Sequence, residues 1–140
     1  MARIEVHADR LVIRLTAAER AMALRRRDLL LDRSAISSAV ITADPWVWIR
    51  GVRAPGARIP GRFAIGTWRN RAGNDFVIAR SGRQAVVLDF DLSAAAPAER
   101  GRSEEFDRFS RVIVSSRHAA ELVAALRLDG EGAGELVTAD

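Results

Sequence analysis

Short runs in which apolar and polar residues alternate, separated by turn residues, are the feature that most limits what this chain can fold into. Near the N-terminus, Ile4 and Val6 form one such run, and Leu11 and Ile13 form the next. A period of two places alternate side chains on opposite faces of a strand. A turn at residues 8–9 would set Val6 opposite Leu11. The same register sets Ile4 opposite Ile13, which predicts a hairpin with one buried face.

The same pattern, with turn residues between its runs, predicts seven strands. The third is a single bent strand interrupted near residues 33–35. Proline and glycine predict a loop at 51–61, and small and charged residues predict a mobile surface loop at 93–105. The predicted strands are residues 3–7, 10–16, 28–43, 62–69, 75–80, 84–92 and 108–115.

Two short helices are predicted from their first residues. Thr16 and Glu19 fit a capping box, in which each side chain accepts from a backbone N–H at the start of the helix. The helix would run over residues 17–25. The Asp-Pro pair at 44–45 provides an N-cap followed by proline at the first helical position, which predicts a short helix over 45–50.

The last predicted element is an amphipathic helix over residues 117–128, which would cover one open end of the sheet. Its apolar positions recur at helical spacing and form a single stripe. The length of the chain suits one domain, which we place at 1–128. Residues 129–140 are acidic and glycine-rich and are expected to form a disordered tail. The stripe consists of Ala119, Leu122, Val123 and Leu126.

Composition narrows the classes of function. The chain has no cysteine, which excludes disulfides, thiol nucleophiles and thiolate metal sites. Its two histidines, His7 and His118, have no further ligand at metal spacing. We therefore predict no catalytic residue, no metal and no cofactor. No apolar run reaches the roughly 20 residues that cross a bilayer, and no signal peptide is visible, so a cytoplasmic location is expected.

All 22 basic residues are arginine. A GC-rich coding background explains the abundance of arginine and alanine, so the count alone does not indicate nucleic-acid binding. The distribution is more informative, because residues 50–83 carry eight arginines against one acid, Asp75, for a net charge of +7.

The segment 50–61 reads Arg-Gly-Val-Arg-Ala-Pro-Gly-Ala-Arg-Ile-Pro-Gly and is followed by a Gly-Thr strand at 64–69. This motif, with its strands and its C-terminal helix, resembles a group of short uncharacterised bacterial proteins of the pleckstrin-homology-like type. The resemblance covers most of residues 3–127. It implies a mainly β fold with some α, in which a partly open barrel of about seven antiparallel strands is capped by the helix. It implies no catalytic residues.

Eukaryotic relatives of that group bind phosphoinositides through a basic loop between the first two strands. Here the corresponding loop, at 8–9, is short and not basic. The resemblance therefore gives no support to membrane contact at that place.

The proline- and glycine-rich segment is expected to bring arginines out of regular structure. Guanidinium groups bind phosphates and carboxylates through paired hydrogen bonds. The sequence therefore predicts an anion- or partner-binding surface there, and a solvated basic face that pairs with the acidic C-terminal third is the alternative. The predicted surface consists of Arg50, Arg53, Arg58, Arg62 and Trp48.

Three classes of function follow. The favoured one is a non-enzymatic binding module whose partner is a protein or an anionic ligand. The alternative is a self-assembling structural subunit, a homo-oligomer joined through open sheet edges. An enzyme acting through Asp89 and Asp91 ranks last, because strand alternation predicts that both carboxylates lie on a solvated face.

Overall fold

The computed structural model describes residues 2–59, 62–91, 107–127 and 137–139. Within these residues the chain is mainly β, and its two α-helices are α1 (Ala17–Ala23) and α2 (Ala119–Arg127). Two 3-10 helices lie at Arg33–Ala35 and Pro45–Trp48. The strands are β1 (Arg3–Val6), β2 (Arg10–Arg14), β3 (Leu29–Asp32), β4 (Ile36–Thr42), β5 (Val52–Ile59), β6 (Phe63–Asn70), β7 (Gly73–Arg80), β8 (Ala85–Phe90), β9 (Arg111–Ser115) and β10 (Val137–Ala139).

The strands form two sheets. A four-stranded sheet has the order β10-β1-β2-β3, and a six-stranded sheet has the order β4-β8-β9-β7-β6-β5. Neither sheet closes within the described residues, so the mainly β fold is confirmed but the expected barrel is not found. All neighbouring strands are antiparallel except β7 and β9, which are parallel.

The single bent strand predicted at 28–43 is wrong. The 3-10 helix Arg33–Ala35 interrupts it, and the Asp32 side chain caps that helix by accepting from the Ser34 N–H. The two pieces then enter different sheets, since β3 pairs with β2 whereas β4 pairs with β8. This division is one reason that the strands do not form one continuous barrel.

The N-terminal hairpin has the predicted register. Ile4 pairs with Ile13 and Val6 with Leu11, and all four side chains are buried. Their shared face packs in the main core, which lies between the two sheets and α2. In α2 the whole predicted apolar stripe is buried, which confirms the amphipathic helix.

The capping box at the start of α1 is also confirmed. The Thr16 hydroxyl accepts from the Glu19 N–H at 3.2 Å, and Glu19 Oε1 accepts from the Thr16 N–H at 2.9 Å. The helix ends at Ala23, two residues earlier than predicted, because Leu24 takes a left-handed conformation with φ of 54°.

The six-stranded sheet is apolar on both faces, whereas the alternation used to predict the strands implies one buried and one solvated face. One face contributes to the main core, and the other carries a second cluster that packs against partly buried Trp46, Trp48 and Ile49. Val47, in contrast, is exposed. Strands buried on both faces show continuous apolar runs, not alternation. The second cluster consists of Ala64, Trp68, Val77, Ala79, Ala85, Val87 and Ile113.

Strand β9 lies between β7 and β8, which are neighbours in sequence. The turn joining them, at 81–84, passes the end of β9 and is tied to it. The Arg80 N–H donates to Ser115 Oγ at 2.9 Å, and the Ser116 N–H donates to the Gln84 carbonyl at 3.0 Å. The turn therefore spans two strand spacings of the sheet.

The loop predicted at 51–61 is mostly strand, because Val52–Ile59 pairs with β6 as β5. Proline cannot donate to a sheet ladder and is tolerated on edge strands or at bulges. Strand β5 is an edge strand, and its register shifts between Arg53 and Gly56, which accommodates Pro55.

The predicted loop at 93–105 lies outside the described residues. Within the predicted tail, Val137–Ala139 pairs with β1 as β10. Residues 129–136 and 140 of that segment lie outside the described residues.

Candidate functional site

The structure separates the five residues that the sequence places on one surface. Arg50 and Trp48 belong to a charge network beside the 3-10 helix Pro45–Trp48. Arg53 and Arg58 lie on the edge strand β5. Arg62 lines a cleft at the far end of the same sheet.

Arg50 is held by a buried carboxylate. Its Nε donates to Asp75 Oδ2 at 2.8 Å and its Nη2 donates to Asp75 Oδ1 at 3.3 Å, and Asp75 is fully buried. This hydrogen-bonded pair raises the pKa of Arg50 above its usual value, because Asp75 stabilises the charged guanidinium. The Arg50 guanidinium therefore already binds an internal carboxylate, so it is not available to bind an external anion.

Arg111 forms the second half of the network. Its Nε donates to Asp89 Oδ1 at 2.7 Å, its Nη1 donates to the Trp48 carbonyl at 3.2 Å, and its guanidinium lies 5.4 Å from the centre of the Trp48 ring. A cation over an indole face is attracted by the ring's quadrupole. Trp48 is thus fixed from two directions and is only partly exposed.

Three of these charged groups, Asp89, Arg111 and Asp75, lie in one register row that crosses five strands of the sheet. Acid and base alternate along the first three positions, so each charge faces its opposite. Asp89 is the partner of Arg111 in this row, although the sequence predicted a solvated carboxylate. Asp91 lies beyond the strand, and its N–H donates to the Ala35 carbonyl. The row consists of Asp89, Arg111, Asp75, Trp68 and Arg53.

We expect Asp75→Asn to destabilise the fold by about 2 kcal/mol, because it removes the buried charge that Arg50 faces. The matched change Asp89→Asn should cost clearly less, since the Asp89 side chain is 29% exposed and water can replace part of its role. Urea denaturation of both variants measures the difference. Equal losses of unfolding free energy would show that the Arg50–Asp75 pair has no special weight.

The edge strand β5 presents two chemically different faces. Arg53 pairs with Trp68 and Arg58 with Ala64, and since these partners are four residues apart on β6, both arginines lie on one face. Val52 and Ile59 lie on the opposite face by the same reasoning. All four are exposed. No carboxylate of the described residues lies within ion-pair distance of Arg53 or Arg58.

Arg62 lines a cleft of about 430 Å³ between α1 and the ends of β6 and β7. Arg80 and Arg83 line it too, and the sequence reasoning did not select them. The predicted strands 62–69 and 75–80 could have indicated them, because a hairpin of these two strands sets residues near 62 and 80 side by side. The other described lining residues are Glu19, Met22, Phe63, Ala64, Ile65, Ile78, Ala79 and Ser81.

Neither histidine belongs to a cluster of metal-binding type. His7 Nε2 lies 3.3 Å from Glu5 Oε1, and His118 lies in the turn before α2. Among the residues that the structure describes, no group of three or more His, Cys, Asp or Glu side chains is placed to hold a metal ion.

None of the described helices is long and apolar enough to cross a membrane.

Comparison of the chain with models of protein families, with curated proteins and with solved structures finds no match.

Proposed function

We propose that this protein is a non-enzymatic interaction module that binds an acidic, extended protein segment along β5. The observation that carries the proposal is an eight-residue edge strand with Arg53 and Arg58 exposed on one face. No other described strand pairs with its outer edge, because β6 is the one strand that pairs with β5 among the described residues.

Addition of a partner strand to the sheet edge would give both the basic face and the apolar face of β5 a role in binding. Main-chain hydrogen bonds supply affinity, while alternate side chains of the incoming strand select the partner. Acidic residues of that strand would face Arg53 and Arg58. Its alternate residues would meet Val52 and Ile59, which favours apolar side chains there. The expected ligand therefore alternates acidic and apolar residues.

The same charges oppose pairing of β5 with a second copy of itself. An antiparallel pair centred between residues 55 and 56 would set Arg53 of one copy opposite Arg58 of the other. Directly opposed like charges destabilise a strand pair, and charged edge residues are a common means of preventing self-association. This supports an acidic partner over a homo-oligomer formed through this edge.

The resemblance to bacterial pleckstrin-homology-like proteins supports the same class of function. Nine of the ten described strands precede the helix α2, which is close to the order in that group, although β10 follows the helix and the sheets here are open. We propose a related scaffold that serves as a binding platform. A similar fold alone does not identify a partner, whereas the exposed arginines of β5 favour an acidic one.

The test is binding of a fluorescein-labelled peptide of alternating glutamate and valine, followed by fluorescence anisotropy. We expect the Arg53→Ala/Arg58→Ala variant to bind at least about tenfold more weakly than the wild type, because two charge-assisted contacts are lost. Wild-type binding should also weaken as salt is added, since exposed charges are screened.

Two controls make the result specific. Arg26→Ala/Arg117→Ala removes the same charge from other exposed positions and should leave binding almost unchanged. A peptide with proline in place of every second valine cannot pair as a strand and should bind poorly. An equal loss of peptide affinity in the two double variants would show that only the net charge of the protein matters. Binding of heparin but not of the peptide would indicate a general polyanion surface and contradict the proposal.

A further inference from the structure

Two turns at one end of the six-stranded sheet bring arginines together around the cleft. Phe63 is the register partner of Arg80, and the Ser81 N–H donates to the Arg62 carbonyl at 2.8 Å. This hydrogen bond fixes the residue before β6 beside the residue after β7. Arg83 follows in the same turn and lines the cleft as well. The backbone thus holds three arginines at one mouth.

The charge at this mouth is strongly positive. Arg62 and Arg80 are exposed, and no carboxylate of the described residues lies within ion-pair distance of either. Glu19 is the acid among the described lining residues, and its two oxygens already accept from the Thr16 and Ala2 N–H groups. It is therefore held as part of the capping box, and Arg62 and Arg80 place two exposed positive charges at the mouth.

The floor of the cleft is apolar. Met22 of α1, Phe63 and Ile65 of β6, and Ile78 of β7 line it. A volume of about 430 Å³ falls within the range of small-molecule sites, which are mostly apolar with a few placed polar groups. A cationic mouth above an apolar floor suits an amphiphilic anion.

We propose that this cleft binds a phosphate monoester that carries a short apolar group. Several guanidinium groups lining one cleft suit a doubly charged phosphate better than a single carboxylate, because together they supply several directed N–H donors. The apolar group would lie against Met22 and Ile65. The site is distinct from the β5 edge and does not depend on the partner proposed for it.

Isothermal titration calorimetry with hexyl phosphate, inorganic phosphate and hexanoate tests the proposal. Hexyl phosphate should bind more tightly than inorganic phosphate, by about fourfold for each methylene that becomes buried. It should also bind more tightly than hexanoate. Arg62→Ala/Arg80→Ala should weaken hexyl phosphate binding at least about tenfold, and thermal unfolding should show that this variant folds normally.

Two further variants are informative. One tests the apolar floor of the cleft apart from its arginines, and the other tests the cleft apart from the β5 edge. Met22→Ala should weaken binding of hexyl phosphate but not of inorganic phosphate, since it alters only the apolar floor. Arg53→Ala/Arg58→Ala should bind hexyl phosphate as the wild type does, whatever the outcome for the acidic peptide. Absence of binding, equal affinity for the two phosphates, or no effect of Arg62→Ala/Arg80→Ala would each overturn the proposal.

The same chemistry could be presented by a free metabolite or by a lipid. Sedimentation with vesicles of phosphatidylcholine and phosphatidic acid distinguishes the two. Vesicle binding that requires Arg62 and Arg80 would support the site and assign a lipid headgroup as its source. Binding of hexyl phosphate without vesicle binding would support the site with a soluble ligand.

Discussion

The Leu122→Asp variant is expected to lose its cooperative thermal unfolding transition. Leu122 has no exposed surface and lies in the main core, where α2 packs against both sheets. The substitution removes apolar contacts and places a carboxylate among the buried apolar side chains of the main core. We expect a loss of about 4 kcal/mol or more, which is a large part of the stability of an ordinary domain.

Ala124→Asp is the matched control, because Ala124 lies on the exposed side of the same helix. It introduces the same charge two residues away and should shift the midpoint of thermal unfolding only slightly. Near-ultraviolet circular dichroism and calorimetry report on both variants. A sharp transition in Leu122→Asp, similar to that of Ala124→Asp, would mean that α2 does not seal the core.

Gly51→Ala is the second change with a large expected effect. Gly51 has φ of +85°, a left-handed conformation that is unfavourable for alanine. A Cβ at this position would lie 2.0 Å from the carbonyl oxygen of Arg69, which is backbone of β6. The clash can be relieved only by moving the start of β5 away from β6, so we expect a loss of about 3 kcal/mol.

Gly82→Ala separates the clash from the conformational strain. Gly82 also has a left-handed φ, of +73°, but a Cβ there would meet nothing within 4 Å. Its replacement should cost about 1 kcal/mol, which is the strain alone. Urea denaturation gives both values. If the two alanine variants lost similar stability, the close approach of Gly51 to β6 would not be a determinant of the fold.

The parts of the fold that the sequence predicted are those with a local signature. The register of Ile4 with Ile13 followed from period-two alternation, and the capping box of Thr16 and Glu19 followed from a spacing of three. The stripe around Leu122 followed from helical periodicity. Each depends on residues close together in the chain, so the sequence contains the necessary information.

Non-local pairing left no such signature. The edge strand β5 was taken for a loop because of its glycines and proline, since the bulge and the edge position that accommodate Pro55 depend on β6. The continuous apolar runs of β7, β8 and β9 agree with burial on both faces, but they do not indicate which distant elements cover each face. The entry of β3 and β4 into different sheets also required knowledge of their distant partners.

The candidate site was predicted in part for the same reason. The net charge of residues 50–83 identified the basic region, but it gave Asp75 no particular arginine as a partner. The structure pairs Asp75 with Arg50, 25 residues away, which removes Arg50 from the available cations. Net charge does not distinguish an arginine with an internal partner, such as Arg50, from exposed ones such as Arg53, Arg58 and Arg62.

The position of β9 between β7 and β8 has a consequence for how the chain is made. As the chain emerges from a ribosome, β7 and β8 are complete before β9 exists, and the short turn between them favours their direct pairing as a hairpin. That pairing would occupy the place of β9 and must be avoided or undone. Contacts between distant segments slow folding and leave strand edges exposed meanwhile. The six-stranded sheet can therefore reach its final order only after residue 115 has been synthesised.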